Sequence, residues 1–185
     1  MAVESAPARD VIYTVGHSTR TFDEFVSMLR AHGVDRIVDV RRYPHSRRNP
    51  QFDGRTLARR LRARGIRYRH VERLGGRRRP LRDSPNAGWR SLGFRGFADY
   101  MATPGFQDGL ESLETLARGS TTAILCAEAV PWRCHRSLIS DALTARGVEV
   151  RHILGVSPPR KHRRTPFARV RRGRVSYPPA RISTR

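Results

Sequence analysis

The sequence predicts an α/β fold, a three-layer sandwich with a mainly parallel five-stranded sheet and a basic C-terminal arm. Three observations carry this reading. Short β-branched and aromatic runs occupy residues 11–15, 34–40, 66–71, 121–125 and 148–153. Between them lie segments with apolar residues at helical spacing, and strands alternating with helices build a parallel sheet through right-handed crossovers. After Gly155 the composition shifts to proline and arginine. The expected divisions are a flexible N-terminus (1–10), an α/β domain (11–157) and the arm (158–185).

In chain order, the run 11–15 ends at the tight polar turn Gly16-His17-Ser18. Thr21 followed by Glu24 is a capping-box pattern, and Phe22, Phe25, Val26, Met28 and Leu29 give the next helix an apolar face that Gly33 terminates. A second strand, 34–40, leads into a loop holding Arg41, Arg42, Tyr43, Arg47, Arg48 and Phe52. Residues 56–65 read as an arginine-rich helix with Leu57 and Leu61 inward, and 66–71 as a half-buried strand.

The long stretch 72–94 reads as a loop that binds something or is disordered. From Arg55 to Arg95 there are fourteen arginines against two acids, Glu72 and Asp83. Such density predicts a groove that tracks a nucleic-acid backbone, with Trp89, Phe94 and Phe97 either as stacking platforms or as core beneath the loop. Residues 97–101 and 106–116 read as helices, the second with Phe106, Leu110, Leu113 and Leu116 at core spacing. The strand 121–125, the loop Cys126–Arg136, a helix over 134–146 and the strand 148–153 complete the domain. The arm carries ten basic residues and no acid; it buries too little apolar surface to fold by itself and reads as solvated or laid along a polyanion.

Composition narrows the function classes. Lys plus Arg total 37 against 16 acids, a net charge of +21, and Lys161 is the single lysine. A domain this cationic repels itself unless it meets a polyanion, and nucleic acid is the first expectation. Two cysteines in one loop make no disulfide framework, no signal-peptide pattern opens the chain, and no apolar run approaches the roughly 20 residues of a membrane helix. The expectation is a reduced, cytoplasmic protein, nucleoid-associated if it binds DNA, with no membrane partner and no cofactor.

Ligands of open α/β sheets bind beyond the carboxyl ends of the strands. Three loops meet that description: Gly16–Ser18, Asp39–Arg42 and Cys126–Arg136. They supply His17, Ser18, Asp39, Arg41, Cys126, Glu128, Cys134, His135 and Arg136. Asp39 is either a catalytic carboxylate or a structural partner of Arg41. Arg136 at a helix start reads as a seat for phosphate. Cys134, beside His135 and Arg136, is either an activated thiolate or a small buried side chain. Phosphatase and rhodanese loops place an arginine where Trp132 stands, and Arg133 comes one residue late. No metal is expected, because Cys126, Cys134 and His135 lack paired-ligand spacing.

Residues 13–19 (Tyr-Thr-Val-Gly-His-Ser-Thr), 38–41 (Val-Asp-Val-Arg), 46–52 (Ser-Arg-Arg-Asn-Pro-Gln-Phe), Leu74-Gly75-Gly76 and the pair Cys126-Ala-Glu128 and Cys134-His-Arg-Ser-Leu138 resemble the domain of unknown function 488 (DUF488) family across residues 11–153. The resemblance implies that Gly16, His17, Ser18, Asp39, Arg41, Cys126, Glu128, Cys134, His135 and Arg136 line a shared pocket. It also implies an N-glycosylase acting on damaged bases in DNA. On that expectation Asp39 or Glu128 is the catalytic carboxylate, and His17 or His135 orients base or water. Ser18, Arg41, Arg42, Tyr43, Arg47, Arg48, Phe52, Cys126, Cys134, His135 and Arg136 contact substrate or phosphate. A non-catalytic nucleic-acid binder is the first alternative, and a thiol-dependent enzyme on a small anion the second.

Overall fold

A computed structural model describes residues 11–180; the expected flexible N-terminus lies outside the described residues. Strands β1 (Val11–Gly16), β2 (Arg36–Asp39), β3 (Arg67–His70), β4 (Thr122–Cys126), β5 (Glu149–Ile153) and β6 (Arg160–Lys161) form one sheet in the order β3-β2-β4-β1-β5-β6. The first five run parallel, and β6 joins β5 antiparallel. The helices are α1 (Phe22–Ala31), α2 (Gly54–Arg62), α3 (Leu92–Tyr100), α4 (Pro104–Ala117) and α5 (Arg136–Ala145).

Local signals account for these elements. The Thr21 hydroxyl accepts from the Glu24 amide while the Glu24 carboxylate accepts from Thr21, so both halves of the capping box are made. Thr103 caps α4, where Pro104 occupies the first turn without needing a donor. The all-buried run of β4 is what a strand covered on both faces requires. Its residues divide alternately between two buried clusters: Ala123 and Leu125 pack with α1 and α2 residues, Ile124 and Cys126 with residues of α3, α4 and α5.

The C-terminal segment corrects the expectation of an extended arm. Residues 160–161 extend the sheet, and β7 (Arg169–Arg171) and β8 (Arg174–Ser176) form a hairpin. Tyr177, fully buried, joins the main core. Its hydroxyl donates to Asp141 (2.8 Å), and its amide donates to Asn86 (2.8 Å). Through Tyr177 the segment docks on the buried cluster shared by α3, α4 and α5. The same surface holds the 72–94 stretch. Buried Asp99 accepts from the Leu81 amide, the Ser84 hydroxyl and the Asn86 side chain. Trp89 lies against Phe94, Phe167 and Tyr177, and Phe97 is wholly buried. Trp89 packs within this cluster, whereas half-buried Phe94 and the edge of Phe97 also line a cavity beyond the carboxyl ends of the strands.

A buried polar chain ties the central strand to this C-terminal segment. The Thr14 hydroxyl meets His152 Nδ1 (2.8 Å), His152 Nε2 meets His162 Nδ1 (3.0 Å), and His162 Nε2 meets Asp141 (2.8 Å). Burial, reinforced by neighbouring His162 and Arg136, pushes the His152 pKa down to about 4, while Asp141 pulls the other way. The unfolded chain therefore binds this proton more readily than the folded one. His152 contributes stability that is present above its ordinary value of 6.5 and is lost as pH falls toward 4. Each tenfold loss of proton affinity is about 1.36 kcal/mol, so up to ~3 kcal/mol is at stake. Urea unfolding at pH 7 and pH 4.5 should show the loss, and His152→Gln should flatten the dependence.

Candidate functional site

The carboxyl ends of β1, β2 and β4 lie side by side, and their loops wall a cavity of about 770 Å³. The loop after β1 is stitched to the loop after β4: the His17 amide donates to the Cys126 carbonyl (3.1 Å) and the Ser18 amide to the Ala127 carbonyl (2.8 Å). A Cβ at Gly16 would run into the carbonyl of Glu128, so only glycine lets these backbones approach. Ser18 takes a left-handed φ of 50°, and its contribution is this turn; it does not line the cavity.

His17 is buried and stacks on Phe52 at 4.3 Å. Its Nδ1 donates to the Ser18 carbonyl (2.7 Å), which leaves Nε2 as an acceptor facing Arg41 Nη1 at 3.4 Å. Burial pushes its pKa down to about 4, and Arg41 adds to the effect, so the imidazole is neutral at pH 7. Phe52 is itself fully buried. It supports His17 and does not touch the cavity, which corrects its expected role in binding substrate.

Asp39 is likewise away from the cavity wall. Its side chain is fully buried, and both oxygens are taken. Oδ1 accepts from the Arg41 amide (3.0 Å) and Nε (2.9 Å), while Oδ2 accepts from Arg41 Nη2 (2.5 Å) and the Tyr68 hydroxyl (2.7 Å). A carboxylate whose oxygens are filled by fixed donors inside the fold has none turned to a substrate. Asp39 instead holds Arg41, whose Nη1 also donates to the Phe52 carbonyl (2.9 Å) and whose guanidinium edge reaches the cavity.

The loop after β4 turns back through a 3₁₀ turn, Pro131–Arg133, before α5 begins. Arg136 does not form the expected phosphate seat. Its side chain is 1% exposed and points inward. Nε and the amide donate to Cys134 Sγ (3.4 and 3.5 Å), and Nη2 donates to the Glu128 carbonyl. No carboxylate pairs with this buried cation among the described residues. A fully buried guanidinium needs a counter-charge, and Cys134 is placed to supply it as thiolate. The hydrogen bond from Cys126 holds the Cys134 thiol well below its ordinary value, with His135 and Arg136 adding to this, and the same bond pushes Cys126 up.

Ligand spacing predicts that Cys126, Cys134 and His135 stay apart; the turn brings them together. Their sulfur and ring-nitrogen atoms all lie within 4.8 Å of one another. Spacing rules for short metal-binding knuckles miss a triad whose members the strand end and the helix start deliver separately.

Glu128 is exposed on the cavity wall and makes no ion pair among the described residues. Arg42, Arg47, Arg48, Arg77 and Arg133 also line the cavity, with Tyr43 56% exposed beside Arg42. Of the fourteen arginines between Arg55 and Arg95, Arg77 alone lines this cavity. Arg60 and Arg78 lie over the rings of Phe22 and Tyr100, and Arg64, Arg67 and Arg73 pair with Asp23, Asp35 and Asp108.

A family model described as domain of unknown function DUF488 matches residues 21–143. The chain belongs to the DUF488 family. No curated protein and no solved structure matches it. The matched span of this DUF488 protein covers the loops after β2 and β4, and it leaves out the Gly16–Ser18 turn and the docked C-terminal segment. No helix among the described residues is long and apolar enough to cross a membrane.

Proposed function

We propose that this protein is a nucleic-acid-processing enzyme, an N-glycosylase-like hydrolase that removes a damaged or modified base from DNA. The observation that carries the proposal is the cavity: Glu128 is the single carboxylate among its lining residues, and Arg42, Arg47, Arg48, Arg77 and Arg133 line it too. Base removal passes through an oxocarbenium-like sugar, which a carboxylate stabilises or activates water against. Water adds to the sugar carbon, the carbon–nitrogen bond breaks, and the base leaves with a proton.

The roles follow from position. Arg42, Arg47, Arg48, Arg77 and Arg133 take flanking phosphates, whose contacts offset the few kcal/mol of extruding a base. Tyr43 offers an exposed ring for stacking. His17, neutral and with Nε2 facing Arg41 Nη1, holds the Arg41 guanidinium edge at the cavity wall for substrate to meet. The net charge of +21 supports a polyanionic substrate.

Duplexes carrying oxidised, deaminated and alkylated bases, followed by alkaline cleavage at abasic sites, test the reading. Glu128→Gln should lower product formation by ~10²–10⁴-fold while DNA binding is unchanged. Absence of abasic product across the panel, with salt-dependent binding intact, would leave a non-catalytic binder in its place.

A further inference from the structure

We infer that Cys126, Cys134 and His135 form a zinc(II) site with its fourth position open to the cavity. The inference concerns the metal alone and stands whichever substrate the cavity takes.

The geometry is already near that of a bound site. Cys126 Sγ lies 3.9 Å and Cys134 Sγ 3.6 Å from His135 Nδ1. Tetrahedral zinc with Zn–S of ~2.3 Å and Zn–N of ~2.0–2.1 Å separates sulfur from nitrogen by about 3.6 Å. Small side-chain rotations close the difference. Two sulfurs and an imidazole nitrogen are a donor set that favours zinc over oxygen-seeking cations.

The surroundings are those a ligand set needs. His135 Nε2 donates to the Val40 carbonyl at 2.9 Å, so the lone pair sits on Nδ1, toward the two sulfurs. This is the outer hydrogen bond that fixes the tautomer and ring direction of metal-bound histidines. The amide and Nε of Arg136 point at Cys134 Sγ and stabilise its negative charge. Gly76 lies over the His135 ring, and a Cβ there would sit 3.0 Å from Nδ1, so glycine keeps that nitrogen uncrowded.

All three residues line the cavity, and no fourth His, Cys, Asp or Glu joins their cluster among the described residues. Three protein ligands and one open position is the layout of catalytic zinc, whereas structural zinc is closed by four. Ligand cysteines bind as thiolates, so metal uptake releases protons and two thiolates balance the dication. Glu128, two residues beyond Cys126, lines the same cavity.

The full chain, stripped with a chelator under reducing conditions and titrated with zinc(II), then separately with cobalt(II), tests the site without any substrate. One equivalent of zinc should bind. Cobalt should give tetrahedral visible bands and thiolate-to-metal charge transfer. Cys126→Ser, Cys134→Ser and His135→Gln should each weaken binding by more than the ~10–100-fold that loss of an outer partner costs. Glu128→Gln should bind as the parent does. Circular dichroism separates lost ligation from lost folding, and the stoichiometry of the parent chain needs no variant.

Failure to bind zinc above trace overturns the inference. So does metal that persists undiminished in all three variants, or cobalt spectra without charge transfer. A Cys126–Cys134 disulfide in the native protein, with no zinc uptake after reduction, overturns it too. Base release that survives complete metal removal sinks a catalytic use of the site but not the N-glycosylase reading. Zinc uptake without base release sinks only the latter.

Discussion

Asp39→Asn should destabilise the protein by ~3–5 kcal/mol, the cost of breaking a buried ion pair by removing one member. The substitution keeps the shape of the side chain but replaces the carboxylate by a neutral amide. The Arg41 guanidinium, 6% exposed, is then left with one amide oxygen at position 39, the Phe52 carbonyl and His17 Nε2 as acceptors, an amide NH2 turned toward it and no counter-charge beside it. Domains are stable by only ~5–15 kcal/mol, so the loss is a large share of the total. At ~2–4 °C per kcal/mol for a chain of this size, the melting temperature should drop by roughly 10 °C. Denaturant unfolding of the purified variant measures the change. The outcome separates two roles for Asp39. A catalytic carboxylate would give a variant of unchanged stability and no turnover, whereas a positioning residue for Arg41 gives the stability loss first.

Tyr177→Ala should cost ~3–5 kcal/mol, the range for removing a large buried aromatic side chain. The ring is fully buried and touches the Trp89 cluster, and its hydroxyl is one of the donors to buried Asp141. Tyr177→Phe isolates the hydroxyl and should cost ~1.5–3 kcal/mol, as for hydrogen bonds to charged groups. Trypsin should cleave the arginine-rich C-terminal segment of Tyr177→Ala faster than that of the parent. If residues 158–180 were a solvated arm, neither variant would move the unfolding midpoint.

Much of the fold is legible in the sequence because its signals are local. The capping box at Thr21 and Glu24, the apolar positions of α1 and α4 and the β-branched runs of the parallel strands need no knowledge of distant partners. The five parallel strands follow from those runs; β6 and the β7–β8 hairpin do not. Average composition conceals them, because docking depends on one ring, Tyr177, meeting an aspartate 36 positions earlier. Three of the segments that wall the cavity are also legible, since they follow β1, β2 and β4; the share taken by Gly76, Arg77 and Phe94 is not. The roles within them are not. Asp39 resembles a catalytic acid until Tyr68, 29 positions on, and Arg41 fill its oxygens. Arg136 resembles a phosphate seat until its guanidinium is found turned toward Cys134 and Glu128. Helix position shows where a side chain starts, not where a long one ends. The Cys126, Cys134 and His135 convergence depends on the 3₁₀ turn at Pro131, which no ligand-spacing rule anticipates.

The buried chain from Thr14 through His152 and His162 to Asp141 and Tyr177 has a consequence for biosynthesis. A ribosome delivers the chain from its amino end, at ~5–20 residues per second. Every parallel strand, β1 to β5, has been made before Tyr177 exists. Until then Asp141 lacks its phenolic donor, and the aromatic pocket formed by Trp89 and Phe94 stands open. The nascent protein thus passes through a stage in which its parallel strands are all present while one core wall is missing, and the piece that seals it emerges only afterwards.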